Sequence, residues 1–211
     1  MDSSLDRAHK GSRGKTVRVV LASKNPGKVR EFRQALALTN RIDLVTVPED
    51  LVMPQETGVT FIENALLKAR HIADTLHTVA LADDSGLCVA ALGGAPGVYS
   101  ARYAGTHATD EQNCRKLLDV LQNVADDHRQ ARFTATLALV FPDGREITVT
   151  GHCDGYILRE YRGDGGFGYD PLFYFPERKK SFAQMSISEK SQVSHRAQAL
   201  RLIQPSFCLL E

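Results

Sequence analysis

Three observations predict an α/β fold with a mixed sheet. Apolar runs of strand length alternate with longer stretches of helical periodicity, the ordered part opens as strand, loop and helix, and a hairpin pattern surrounds "PDG" in the second half. In order, residues 1–16 ("MDSSLDRAHKGSRGKT") are polar and basic and carry too little apolar surface to repay ordering, so they read as a disordered arm. "VRVVLA" from Val17 reads as a buried strand, "SKNPGK" as a loop, and "VREFRQAL" as a helix with Val29, Phe32 and Leu36 on one face. "IDLVTV" is the next strand. In "ETGVTFIENALLKARHIADTL", Thr60 followed by Glu63 is a capping-box signature ahead of a long helix. Phe61, Ala65, Ala69, Ile72 and Leu76 form its expected buried stripe, leaving Asn64, Lys68 and His71 free to face a cleft.

"VALADD" and "LCVAAL" read as two short strands, "TDEQNCRKLLDVLQNV" as an amphipathic helix, and "ARFTATLALVF" with "GREITVTGHCDGYIL" as the hairpin. The glycine-rich "RGDGGFGYDPLFY" leads to a single closing helical region, "SEKSQVSHRAQALRLI". No internal repeat or low-complexity linker divides the chain, so residues 17–211 are expected to form one domain.

The bulk properties narrow the function. The 211 residues carry 26 basic and 25 acidic side chains, a net charge of +1, so no global field draws the chain to nucleic acid or lipid. Any polyanion must be held by a local cluster. Cys88, Cys114, Cys153 and Cys208 are far apart, form no C-x-x-C pair and follow no cleavable signal, which fits a reducing cytoplasm. No apolar run approaches the roughly 20 residues that a bilayer demands, so a soluble protein is expected.

Four stretches carry candidate chemistry, each with a plainer alternative. "SKNPGK", between a strand and a helix, suits an anion through the helix N-terminus, Lys28 and Asn25; otherwise Asn-Pro-Gly is only a turn. It is not a Walker A loop. In "LADDSGL" successive side chains of a strand point to opposite faces, so Asp83 and Asp84 are expected to do different jobs. Such a pair suits Mg²⁺ or a general base, with Glu56 as a possible third carboxylate; an Asx-type turn in solvent is the alternative. "GDGGFG" satisfies G-x-G-x-x-G, but Tyr169, Asp170 and Pro171 follow where a dinucleotide site needs a helix. That leaves a glycine loop whose Phe167 and Tyr169 either stack on a base or pack in the core. Lys190, Ser194, His195 and Arg196 suit phosphate plus carbonyl recognition, or are a solvated face. Adjacent His152 and Cys153 diverge on a strand, and no zinc pattern is present.

Together, "LASKNPGK", "ETGVTFIENALLKAR", "ADDSGL", "LGGAPGVYSARYAG", "FGYDPLF" and "EKSQVSHRAQAL" resemble the inosine/xanthosine triphosphate pyrophosphatase family of house-cleaning nucleotide hydrolases. The resemblance runs in order from Val17 to about Ile203. It implies an elongated mixed sheet with two lobes around a cleft, a homodimer, and Mg²⁺-dependent hydrolysis of non-standard purine nucleoside triphosphates to monophosphate and pyrophosphate. It assigns the phosphate loop to Ser23, Lys24, Asn25, Pro26, Gly27 and Lys28, with Lys68 as a second phosphate ligand. Glu56 and Asp84 match the metal positions, Asp84 the proton acceptor and Ser85 a substrate contact. Phe167, Gly168, Tyr169, Asp170, Lys190, His195 and Arg196 match the nucleoside site. Gln55 departs from the pattern, standing where some members carry a second acid. Selectivity is expected from His195 and Arg196 as donors to a 6-oxo group. Two rivals remain: a pyrophosphatase for modified pyrimidine nucleotides, and a nucleic-acid-binding module using the basic arm and Phe167, against which the near-zero net charge argues.

Overall fold

The computed structural model describes residues 16–36 and 42–210. Apart from Thr16, the stretch read as a disordered arm lies outside the described residues. The strands are β1 (Val17–Leu21), β2 (Ile42–Thr46), β3 (Val79–Val89), β4 (Gln130–Val140), β5 (Glu146–Ile157), β6 (Phe173–Phe175) and β7 (Lys180–Ser181). The helices are α1 (Pro26–Leu36), α2 (Phe61–Leu76), α3 (Asp110–Val120), α4 (Ile187–Val193) and α5 (His195–Ile203). One sheet runs in the order β2-β1-β3-β4-β5-β6-β7, parallel among the first three strands and antiparallel from β3 onward. The expected mixed sheet is therefore present. The hairpin around "PDG" supplies its longest ladder, from Gln130↔Tyr156 to Val140↔Glu146.

Helices cover both faces of the sheet's parallel end. Ala80 and Ala82 of β3 pack with Ala65, Ala69 and Ile72 of α2. On the opposite face, Leu81 packs with Phe32 of α1 and with Ala199 and Leu200 of α5. A third apolar cluster, built around Leu87, Phe133, Phe173 and Phe182, fills the other end of the sheet. This alternation along β3 is what later separates its two aspartates.

The structure departs from the sequence expectations in four places. "VALADD" and "LCVAAL" are not two strands: β3 runs unbroken, and every residue from Ala80 to Val89 pairs with β4. Long-range pairing overrides the local turn preference of Asp-Ser-Gly. Gly86 is required here, since a Cβ would meet the Gly97 carbonyl oxygen and lie 2.6 Å from the Ser100 hydroxyl. The closing helical region is two helices broken at Ser194, whose extended backbone (φ −68°, ψ 156°) ends α4, while its hydroxyl accepts from the Ala197 amide to cap α5. Helix α1 begins at Pro26, inside the expected loop, because the Asn25 side chain accepts from the Lys28 amide at 3.1 Å. On α2 the capping box forms as expected, but Phe61 and Leu76 are only half-buried, and His71 turns to the Val52 carbonyl (2.9 Å) rather than to the cleft.

Candidate active site

A cavity of about 350 Å³ opens between the loop before α1, the N-terminal half of α2, the middle of β3, the glycine loop and the starts of α4 and α5. Of the residues that the family resemblance assigns to the site, all line this cavity except Pro26 and Gly27; Asn64, His71 and Ser194, also expected at a cleft or recognition site, are not among its lining. Gly27 acts from behind it: a Cβ there would lie 2.5 Å from Cδ1 of Phe167, so the glycine lets that ring lie against the loop. Phe167 is half-buried at the cavity wall, whereas Tyr169 belongs to the core and donates its hydroxyl to the Ser100 carbonyl (2.8 Å). Gly27→Ala is expected to push the ring off the loop and to raise KM for substrate by about tenfold, since a displacement near 1 Å is enough to cost that much. Steady-state kinetics beside an unchanged melting temperature checks it.

The two adjacent aspartates part to opposite faces of the sheet. Asp83 points toward α1 and α5, where Lys28 Nζ lies 2.6 Å from Oδ2 and Arg196 Nε 3.3 Å from Oδ1. Its side chain has no solvent exposure. Burial alone would raise its pKa, but Arg196 and then Lys28 hold it far below the usual carboxylate range. Asp84 points toward α2, with Lys68 Nζ at 2.9 Å and Asn64 Nδ2 at 3.4 Å. Burial pushes its pKa up, and the neighbouring Glu56 carboxylate adds to the rise against the pull of Lys68. One acid is thus a counter-ion held ionised by two cations, and the other a carboxylate whose proton affinity is raised.

Lys68 gathers the second cluster. Its ammonium lies 2.6 Å from Glu56 Oε1, 2.9 Å from Asp84 Oδ1 and 2.9 Å from the Asp83 carbonyl oxygen. Burial would lower its pKa, but Asp84 and then Glu56 hold it raised, so it stays charged. Two carboxylates converging on one cationic centre suit a hard divalent ion that completes its shell with phosphate oxygens and water. Among the described residues no group of three or more His, Cys, Asp or Glu side chains forms a self-sufficient metal site. Substrate oxygens fit that shortfall.

On the other side, Glu31 of α1 ties Lys190 and Arg196 together. Lys190 Nζ lies 2.7 Å from Glu31 Oε1 and 2.5 Å from Asp170 Oδ2, and the Arg196 guanidinium bonds the other Glu31 oxygen as well as Asp83 and Ser85. Glu31 was not anticipated. Its one available signal was the spacing from Lys28, three residues earlier and so on the same side of α1. Arg196 is 2% exposed, and its donors are committed to carboxylates and the Ser85 hydroxyl. His195 differs. Its ring stacks on Phe133 (centroids 4.7 Å apart), and its Nδ1 is buried without a hydrogen-bond partner among the described residues.

Burial, followed by the repulsion of Arg196, lowers the His195 pKa well below 6.5, so the folded ring is neutral. A base whose folded pKa is depressed binds its proton more readily when unfolded, so stability is expected to fall as pH drops below 6.5. His195→Gln is expected to flatten that part of the stability profile, read by denaturant unfolding at pH 5.5 and 7.5.

The Ham1 family model matches residues 19–206, which takes in every element of this site. The chain belongs to the Ham1 family. This Ham1-family chain is 51% identical over 187 residues to the dITP/XTP pyrophosphatase of Thermus thermophilus, covering 89% of this chain and 90% of that one. It is 50% identical to the dITP/XTP pyrophosphatase of Photorhabdus laumondii, over 88% of this chain and 95% of the relative. A solved HAM1 protein from Coxiella burnetii superposes with a TM-score of 0.83 at 41% identity, covering 92% of this chain and 99% of that structure. The Staphylococcus aureus Ham1 protein superposes at 0.80 and 40%, covering 92% and 100%. Nucleotide pyrophosphatases generally act with a divalent metal, which agrees with the converging acids of this Ham1 site. No helix among the described residues is long and apolar enough to cross a membrane.

Proposed function

We propose that this Ham1-family enzyme hydrolyses deaminated purine nucleoside triphosphates, ITP, dITP and XTP, to the monophosphate and pyrophosphate, removing them from the nucleotide pool before they enter DNA or RNA. The observation that carries the reading is the split of Asp83 and Asp84. It sets Asp83 with Lys28 and Arg196 on one face of β3 and the Asp84 carboxylate with Lys68 on the other, both lining one cavity of about 350 Å³. The high identity to curated dITP/XTP pyrophosphatases supports the substrate class.

In this reading the Ser23–Lys28 loop and Lys68 bind the triphosphate, and Glu56 with Asp84 would hold Mg²⁺. When bound, the ion supplies charge neutralisation to the phosphate oxygens. Asp84 takes a proton from a water attacking the α-phosphorus, a bond forms from that water oxygen to phosphorus, and the bridging bond to the leaving pyrophosphate breaks. Phe167 offers a ring face to the base.

His195 Nδ1 supports the choice among purines. A neutral imidazole protonated there donates to a 6-oxo group and meets a donor instead in adenine, and a site built on such a bond can discriminate by about 10⁴. The expectation that Arg196 also reads that group gains less support, because its donors already face Asp83, Glu31 and Ser85. Guanine shares the 6-oxo group, so weak GTP hydrolysis is expected, and equal rates on GTP and ITP would contradict a selective pocket. Pyrophosphate release from ITP, XTP, dITP, GTP, ATP and modified pyrimidine triphosphates, with and without Mg²⁺, tests the whole reading. A homodimer in a reducing cytoplasm belongs to it as well: four unpaired thiols suit that compartment, and a light-scattering mass of twice the chain checks the assembly.

A further inference from the structure

The segment Gly97–Arg102, a run of 3₁₀ turns after β3, forms part of the cavity wall through Val98, Ser100 and Ala101. Its backbone is fastened from several directions. The Ser100 hydroxyl accepts from the Leu87 amide of β3 (2.9 Å) and donates to the Gly97 carbonyl (2.6 Å). Asn113 of α3 grips both sides of Arg102, donating to the Ala101 carbonyl (3.2 Å) and accepting from the Ala104 amide (2.8 Å). Such anchoring fixes where the Arg102 side chain starts.

The guanidinium at the end of that fixed mount is loosely held. It is one-third exposed, lies 5.2 Å over the exposed Tyr99 ring, and among the described residues meets one carboxylate, Glu56 Oε2, at 3.5 Å. The distance is long for an ion pair of a forked donor. Glu56 is already bonded more tightly to Lys68, at 2.6 Å. In the chain of contacts that starts at the nucleoside end with Asp170 and Lys190 and passes Glu31, Arg196, Asp83 and Lys68, Arg102 is the last cation, beyond Glu56. With a base by His195 and an α-phosphorus by Asp84, as the reading above has them, terminal phosphates that run on past Lys68 and Glu56 come to Arg102, which stands beside the cavity lining rather than in it. When a divalent ion draws on Glu56, the attraction holding Arg102 to that acid weakens, and its planar fork is free to clasp two phosphate oxygens.

We propose that Arg102 is a phosphate-binding residue of this site, leaving Glu56 to hold the two terminal phosphates that depart as pyrophosphate. The inference rests on the pyrophosphatase reading above. Its test is calorimetric binding of inorganic pyrophosphate and of inosine monophosphate to wild type, Arg102→Met and Arg102→Lys, each with Mg²⁺ present. Arg102→Met is expected to weaken pyrophosphate binding by about tenfold or more, the loss of one charge-assisted bond, while leaving the monophosphate within twofold. Arg102→Lys is expected to recover part of the loss, because it keeps the charge but not the fork. Pyrophosphate affinity unchanged in Arg102→Met, or an equal weakening of both ligands, would overturn the assignment. Wild-type protein that turns over ITP while Arg102→Met binds pyrophosphate normally sinks only this inference; wild-type protein inert toward every deaminated triphosphate sinks the underlying reading instead.

Discussion

Asp84→Asn is expected to lower kcat for ITP by about 10²–10⁴-fold, the span for removal of a positioned general base, the role proposed for Asp84. The substitution is nearly isosteric and keeps the oxygen that faces Lys68, so the fold and the binding of substrate should change far less than turnover. It also removes the group whose proton affinity is raised by burial and by Glu56. The pH dependence gives a second check. A base of raised pKa loses activity as pH falls through that value, so the acid limb of kcat/KM in the wild type should disappear into the residual rate of the variant. Rapid-quench measurement of inosine monophosphate formation reads both effects. Near-normal turnover in Asp84→Asn would assign the base elsewhere.

Arg196→Leu is expected to destabilise the fold by about 3–5 kcal/mol, the range for breaking a buried ion-pair network by removing one partner. Here two buried carboxylates each lose a cation: Asp83 is left with Lys28, and Glu31 with Lys190. Against a total stability of about 5–15 kcal/mol, this is a large share. Urea unfolding is the measurement. The double variant Arg196→Leu with Glu31→Gln should recover part of the loss, since it removes a carboxylate charge that has lost a cation, while Lys190 keeps Asp170. No recovery would mean that the guanidinium acts through packing against Phe167 rather than through charge. The sign of the acid response follows from the same network. Asp83 and Glu31 both titrate below their ordinary values when folded, so they stabilise the protein above the ordinary carboxylate range, and that stability is lost as pH falls below it.

Much of this site was readable from side-chain type and position along the chain. The opposite directions of Asp83 and Asp84 follow from strand alternation, and helical periodicity sets Lys68 apart from the apolar stripe of α2, although its ammonium is itself buried between Glu56 and Asp84. The capping box at Thr60 and Glu63 was equally plain, because it involves groups three residues apart. Local rules failed where distant partners outvoted them. "ADDSGL" has the composition of a turn, yet β4 pairs with it throughout. The closing helix looked continuous, yet it breaks at Ser194, which sets Lys190 on α4 and Arg196 on α5 on either side of Glu31.

Periodicity, turn chemistry and charge therefore determined by themselves an α/β chain with a mixed sheet, a basic loop, an acid pair and a second cationic group near the C-terminus. Tertiary structure alone decided the pairings: which lysine meets which aspartate, that Glu31 joins two cations more than 150 residues away, and that Arg102 ends beside Glu56. The physical reason is that a charge is solvated or repaid by whatever surrounds it in space. Sequence sets each group's own chemistry within a few residues, whereas its pKa, burial and partner depend on elements brought together across the fold.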